Sequence, residues 1–155
     1  MEPLNTTQLE NIMHKHLPNV FKGVFPSDHL PKTHNYSLPW CLICNSECSH
    51  TKGSHWLSFY ADTNKTLHYF DSYGKQPQKT AWIDFLERNS RSKHWVMQRR
   101  KIQSEFSAFC GYYTIYFLLK RHSTPLSVAD YRLMLNVDDS NIIEQLENIL
   151  KKQYK

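Results

Sequence analysis

Apolar positions along this chain switch between two rhythms. Leu9, Ile12, Met13 and Leu17 recur every three or four residues, which is one face of a helix. Thr7 and Glu10 form a capping-box pattern, so a helix is expected from Thr7 to His16, stopped by Pro18. The segment that follows holds Gly23, Pro26 and Pro31 and shows no alternation, so it reads as irregular. Trp40 to Cys44 is a solid apolar run of strand length, and Ser46 to Gly53 is a loop. His55 to Tyr60 and Thr66 to Phe70 are aromatic and β-branched runs. The polar turn Ala-Asp-Thr-Asn-Lys joins them as a hairpin, closed by Ser72-Tyr-Gly-Lys-Gln-Pro.

Beyond the hairpin, Thr80 to Arg88 reads as a helix with Trp82, Phe85 and Leu86 on one side, and Trp95 to Gln98 as a further strand. Phe109 to Arg121 is apolar nearly all round, the mark of a central buried helix. Ser127 is placed to cap a short helix carrying Val128, Tyr131, Leu133 and Leu135. Asp139 or Ser140 caps a last one with Ile142, Ile143, Leu146, Ile149 and Leu150. No repeat, low-complexity tract or linker interrupts the pattern. The expected fold class is α+β, a small mixed β-sheet packed against helices, in a single domain over residues 1–155.

A chain of 155 residues is long enough for a proper core, and 40% hydrophobic with 14% aromatic residues argues for packing rather than disorder. The net charge of +5 tilts the choice of partners mildly toward nucleic acid or acidic surfaces. No apolar leader opens the sequence and no run reaches membrane-spanning length, so an intracellular, reducing setting with free thiols and no membrane partner is expected.

Cys110 changes the picture. It stands where a loop of small and polar residues runs into the buried helix, in Gln103-Ser-Glu-Phe-Ser-Ala-Phe-Cys110-Gly-Tyr-Tyr. Taken alone, it is most simply one more small buried hydrophobe. A free thiol has a pKa of about 8.5, and both a neighbouring imidazolium and the positive end of a helix dipole favour its thiolate. The start of the helix supplies the second feature. His55 opens the first strand of the hairpin and Asp71 ends the second, so the two become neighbours across it. Asp71 can then accept from the imidazole Nδ1 and hold Nε2 toward the thiol. Gln103, seven residues before Cys110, can join the Cys110 backbone N–H in cradling an oxyanion. Gly111 would let a substrate backbone approach closely. Nucleophile, base, orienter and oxyanion donor are the parts of a cysteine protease.

His55-Trp56, Phe70-Asp71-Ser72-Tyr73-Gly74 and Gln103 followed by Cys110-Gly111 stand in an order that resembles the adenovirus-type endopeptidases and, more distantly, the SUMO-specific proteases. Phe21-Lys-Gly-Val-Phe25 is similar to an early segment of the adenoviral enzymes, and the likeness runs from Val20 to Leu119. The resemblance implies a papain-like active site in permuted order, a central nucleophile helix, and Trp56 packed beside the catalytic histidine. It implies a monomeric thiol endopeptidase of adeno-like viruses or Polinton/Maverick elements. Such an enzyme acts on capsid or core precursors in the virion and host nucleus. It needs no cofactor for its chemistry, and DNA or a peptide serves as activator. No cysteine lies just before Gln103, where the adenoviral enzymes link their activating peptide, so such a peptide would bind non-covalently here.

Two other constellations compete for attention. Cys41-x2-Cys44-x3-Cys48-x-His50 contains a zinc-ligand spacing, but residues three apart in a strand face opposite ways, so no metal site is expected. Arg91, Lys93, Arg99, Arg100 and Lys101, with His94 and Trp95 between them, are candidate DNA contacts or, as simply, a solvated basic face. The competing functional readings are removal of ubiquitin or a SUMO-type modifier, which uses the same catalytic parts, and an inactive DNA-binding virion protein.

Overall fold

In the computed structural model, which describes residues 2–46, 55–104, 107–125 and 131–152, five strands form one sheet in sequence order. They are β1 (Phe21–Phe25), β2 (Trp40–Asn45), β3 (Trp56–Ala61), β4 (Leu67–Phe70) and β5 (Trp95–Met97). The pairs β2–β3 and β3–β4 are antiparallel, whereas β1 joins β2 and β5 joins β4 in parallel. The helices are α1 (Thr6–His16), α2 (Thr80–Asn89), α3 (Cys110–Ser123), α4 (Tyr131–Met134) and α5 (Ile142–Lys152). The expectation of a small mixed sheet against helices is borne out, and α3 is the buried helix the pattern pointed to.

Period-two alternation sorts the sheet into two cores. Leu57, Phe59 and Ala61 of β3, with Leu67 and Tyr69 of β4, face α2 and its Trp82, Phe85 and Leu86. Tyr60 and Phe70 face the other way, toward α3, α1 and α5. There Phe70 stacks on Phe117 at 4.6 Å between ring centroids. A sheet covered on both faces explains why its central strands read as solid apolar runs rather than clean alternation.

Three local expectations are corrected. The capping box of α1 is Asn5 with Gln8, not Thr7 with Glu10: each side chain receives the other's backbone N–H at 2.9 Å. The two boxes overlap in sequence, and the earlier one wins where the Leu4 carbonyl is held by Trp56. The segment read as irregular contains β1, whose alternation is hidden because Gly23, at φ +137°, sits where the register with β2 shifts. The turn into α5 is organised by Asp138 rather than Asp139 or Ser140. The Asp138 carboxylate takes the Ser140 N–H and its carbonyl takes those of Asn141 and Ile142. The proposed cap Ser127, with Val128, lies outside the described residues, as do Cys48, His50 and most of the 46–53 loop.

Candidate active site

The register of the hairpin sets the site. Ser58 pairs with Phe70, so Asp71 lies opposite Leu57, and His55 is its diagonal neighbour across the strand ends. His55 reaches along that diagonal with its far nitrogen: Nε2 donates to Asp71 Oδ1 at 2.7 Å. This corrects the expected arrangement, in which Nδ1 met the carboxylate. With Nε2 engaged on Asp71, Nδ1 is the ring nitrogen left for Cys110, which acts on the imidazole from the helix start. Tyr73 stacks on the imidazole, with centroids 4.7 Å apart and planes at 25°, and fixes its tilt.

Burial pulls the His55 pKa down, but the hydrogen bond to Asp71, then that to Cys110, and the negative charge of both outweigh it. The imidazole is pushed up to about 9. His55 therefore carries its proton through neutral pH, the charge a thiolate nucleophile needs beside it.

A tight turn holds Asp71 in place. Its Oδ1 accepts the Tyr73 N–H at 2.8 Å, and its carbonyl accepts the Gly74 N–H at 2.8 Å. Gly74 is required here. Its φ is +71°, and a Cβ on it would come within 2.6 Å of the Arg99 carbonyl oxygen. The buried amide of Gln98 donates to the same Asp71 carbonyl at 2.8 Å and accepts the Arg100 N–H at 2.9 Å.

Cys110 is the first residue of α3 and only 8% exposed. Phe109 before it makes no side-chain cap, so the first N–H groups of the helix are open to a ligand. Gln103, fully buried, is held from both ends: the Ser72 hydroxyl donates to its Oε1, and its Nε2 donates to the Ser107 carbonyl at 2.9 Å. The second Nε2 hydrogen is the one such an arrangement can turn to an oxyanion. The Ser72 carbonyl also receives the N–H groups of Ile102 and Gln103, tying this loop to the Asp71 turn. Tyr113 reinforces the loop by donating to Ile102 O at 3.0 Å and Asp139 Oδ1 at 2.6 Å, and Asp139 Oδ2 accepts from Ser104 N at 3.2 Å.

His55, Asp71 and Cys110 are thus brought together, with Gln103 in the adjoining loop. Trp56 sits at the site, its indole N–H on the Leu4 carbonyl at 3.1 Å. Gly111 packs against the segment before α1. It is buried, and a Cβ there would stand 3.1 Å from Leu4 Cβ, so its missing side chain admits the segment before α1.

The basic run is divided. Arg91 and Lys93 lie in a short 3-10 turn ahead of β5, while Arg99, Arg100 and Lys101 follow it. Five residues, a span of up to about 20 Å when extended, separate the groups. Arg100 donates to the Leu135 carbonyl at 3.2 Å. Cys41 and Cys44 do pack on opposite faces of the sheet, one in each core. Burial raises both thiols, Cys44 to about 12. Among the described residues, no three His, Cys, Asp or Glu side chains gather where a metal ion could sit.

Sequence reasoning missed the positioning residues Ser72, Tyr73, Gln98 and Asp139. Ser72 and Tyr73 were visible only as letters of the Asp-Ser-Tyr-Gly turn, Asp139 only as a candidate helix cap, and nothing local marks Gln98.

No family model matches the chain. The protease of porcine adenovirus A serotype 3 is 28% identical over 110 residues, a match covering 63% of this chain and 54% of that protein. The chain thus spans about half the length of that relative. The crystal structure of the ASFV pS273R protease superposes with a TM-score of 0.55 at 18% identity, covering 72% of this chain and 43% of that one. The resemblance read from the residues is borne out: the chain is related to an adenoviral protease and has the fold of the ASFV pS273R protease. No helix among the described residues is long and apolar enough to cross a membrane.

Proposed function

We propose that the chain is a thiol endopeptidase of adenoviral type, acting on structural-protein precursors of a virus or virus-like element inside the host cell and its virion. The observation that carries this reading is a His55 imidazole hydrogen-bonded to the buried Asp71 carboxylate and set beside Cys110, the first residue of a helix. Kinship with an adenoviral protease supports the substrate class.

In this reading Cys110 Sγ attacks the scissile carbonyl carbon as a thiolate. His55 gives its proton to the leaving amine, so the peptide C–N bond breaks and an acyl-thioester remains. A water then attacks that thioester while His55 takes its proton, releasing the acid and restoring Sγ. Asp71 keeps the ring oriented through Nε2. The Cys110 N–H and the Gln103 amide stabilise the oxyanion in both steps. No metal or organic cofactor enters the chemistry. DNA held by the divided basic groups, or a non-covalently bound peptide, would act as activator rather than reagent.

The test is the alkylation rate of Cys110 by iodoacetamide as a function of pH, in wild type and His55→Ala, followed by mass spectrometry. Fast labelling well below the ordinary thiol range that collapses in His55→Ala supports the reading. Slow labelling in both proteins, with and without added DNA, refutes it.

A further inference from the structure

Gln103 is gripped on both sides by groups that take no part in the chemistry. The Ile102 carbonyl, just before it, lies 3.0 Å from the Tyr113 hydroxyl, and the Ser104 N–H, just after it, donates to Asp139 Oδ2 at 3.2 Å. Asp139 Oδ1 accepts from the same Tyr113 hydroxyl at 2.6 Å, so the one hydroxyl hydrogen is shared between a carbonyl and a nearer carboxylate. Tyr113 is fully buried in α3, three residues beyond Cys110 and about 4.5 Å further along the axis. Burial, then the hydrogen bond and charge of Asp139, push the pKa of the hydroxyl above its ordinary value, so it stays a donor across neutral pH. One carboxylate thus joins the nucleophile helix to the loop that carries the amide.

The segment bearing Asp139 is itself anchored. Leu135 and Val137 are buried in the same core as α3, and the Leu135 carbonyl accepts from Arg100 Nη2 at 3.2 Å. The Arg100 N–H is in turn held by Gln98, whose amide holds the Asp71 carbonyl. Only a carboxylate serves both ties of Asp139. It offers one oxygen to each donor, whereas an asparagine would turn an NH2 group toward one of them.

We infer that Asp139 is a positioning residue of the oxyanion site: with Tyr113 it fixes the Gln103 amide relative to the Cys110 N–H at the start of α3. That role rests on the endopeptidase reading and adds to it a contribution from the segment between α4 and α5. A displacement of about 1 Å is enough to lower turnover up to about a hundredfold, because a donor must meet the oxyanion within about 2.7–3.1 Å. Thiolate formation draws on His55 and the helix start instead, so the clamp leaves it alone.

The experiment uses the full chain and a peptide that wild type cleaves, selected from a mixed peptide library. Tyr113→Phe keeps the ring in the core and removes only the hydroxyl; it should lower kcat about tenfold with KM within about twofold. Asp139→Asn, which can keep the Tyr113 tie while losing that to Ser104, should lose about threefold, and Asp139→Ala about tenfold or more. Iodoacetamide labelling of Cys110 should stay at the wild-type rate in all three. In a Gln103→Ala background each substitution should change kcat by less than about twofold, because the group it positions is gone. Losses that persist undiminished in that background overturn the inference, since the clamp would then act on something other than the amide. So does an unchanged kcat in Tyr113→Phe, or labelling that slows in step with kcat. In each of these cases wild type still cuts, and the endopeptidase reading stands. A wild type that cuts no peptide of the library overturns that reading, and the inference with it.

Discussion

Replacing Asp71 with asparagine tests the electrostatic core of the site with little change of shape. The asparagine Oδ1 can still accept the Tyr73 N–H that the aspartate takes at 2.8 Å, so the turn is kept and the charge removed. What is lost is an ionic acceptor 2.7 Å from His55 Nε2, in a pair whose side chains are 14% and 5% exposed. A hydrogen bond to a charged group contributes about 1.5–3 kcal/mol net, and one pH unit corresponds to about 1.4 kcal/mol. The midpoint of His55 should therefore fall from about 9 by roughly one to two units. Histidine-ring NMR titration reads this directly, with His55 picked out from the nine histidines by its absence in His55→Gln. The sign extends to stability. A histidine raised from 6.5 to about 9 stabilises the fold fully below 6.5, and loses that contribution as pH rises through 9. Asp71→Asn should thus be less stable than wild type at neutral pH and show a shallower alkaline decline. An unchanged midpoint in Asp71→Asn would sink the account of His55 given above, since the proton would then owe nothing to Asp71.

Three further outcomes follow from the geometry. Gln103→Ala should lower kcat about a hundredfold or more on a cleaved peptide while Cys110 keeps its alkylation rate, because the proposed oxyanion donor goes together with the side-chain bonds to Ser72 and Ser107, whereas the Gln103 N–H still ties the loop to the Ser72 carbonyl; equal losses in both would assign Gln103 to loop structure alone. Gly74→Ala, at φ +71° with backbone 2.6 Å from the added Cβ, should cost about 2 kcal/mol or more in urea unfolding; a loss within experimental error would mean that the Arg99–Arg100 strand end yields easily. His68 donates from Nε2 to Asp62 at 2.8 Å and takes the Tyr131 hydroxyl at Nδ1; burial, the leading cause, lowers its pKa, with Arg121 adding to the effect. The unfolded chain therefore binds the proton first, and stability should fall as pH drops below 6.5, a decline that His68→Gln flattens and that urea midpoints across the acid range would read.

How much of this was legible depended on the range of the interaction that fixes each residue. Cys110 could be placed because its helix announces itself by its own apolar periodicity, and His55 and Asp71 because a hairpin brings its two open ends together wherever its turn lies. The ring nitrogen that meets Asp71 was not legible. It depends on a diagonal rather than a direct pairing, an offset of two residues along the strand. β1 was hidden because Gly23 breaks the alternation that would have marked it, and because a parallel edge strand is stabilised by β2, twenty residues further on. Gln98 and Asp139 illustrate the far limit. Each acts through hydrogen bonds to backbone or hydroxyl groups, at least one of them distant in sequence, and an isolated glutamine or aspartate carries no periodicity to betray it. Gly111 makes the converse point. A glycine beside a nucleophile invites a substrate explanation, yet the neighbour that needs its missing side chain is Leu4, more than a hundred residues earlier in the same chain. The chemistry of this site is therefore written locally, in residue types at short range, whereas the shape of its cleft is written in contacts between the chain's beginning and its central helix. Candidate catalytic parts can be read from one sequence for that reason, whereas the form of the cleft around them has to be read from the fold.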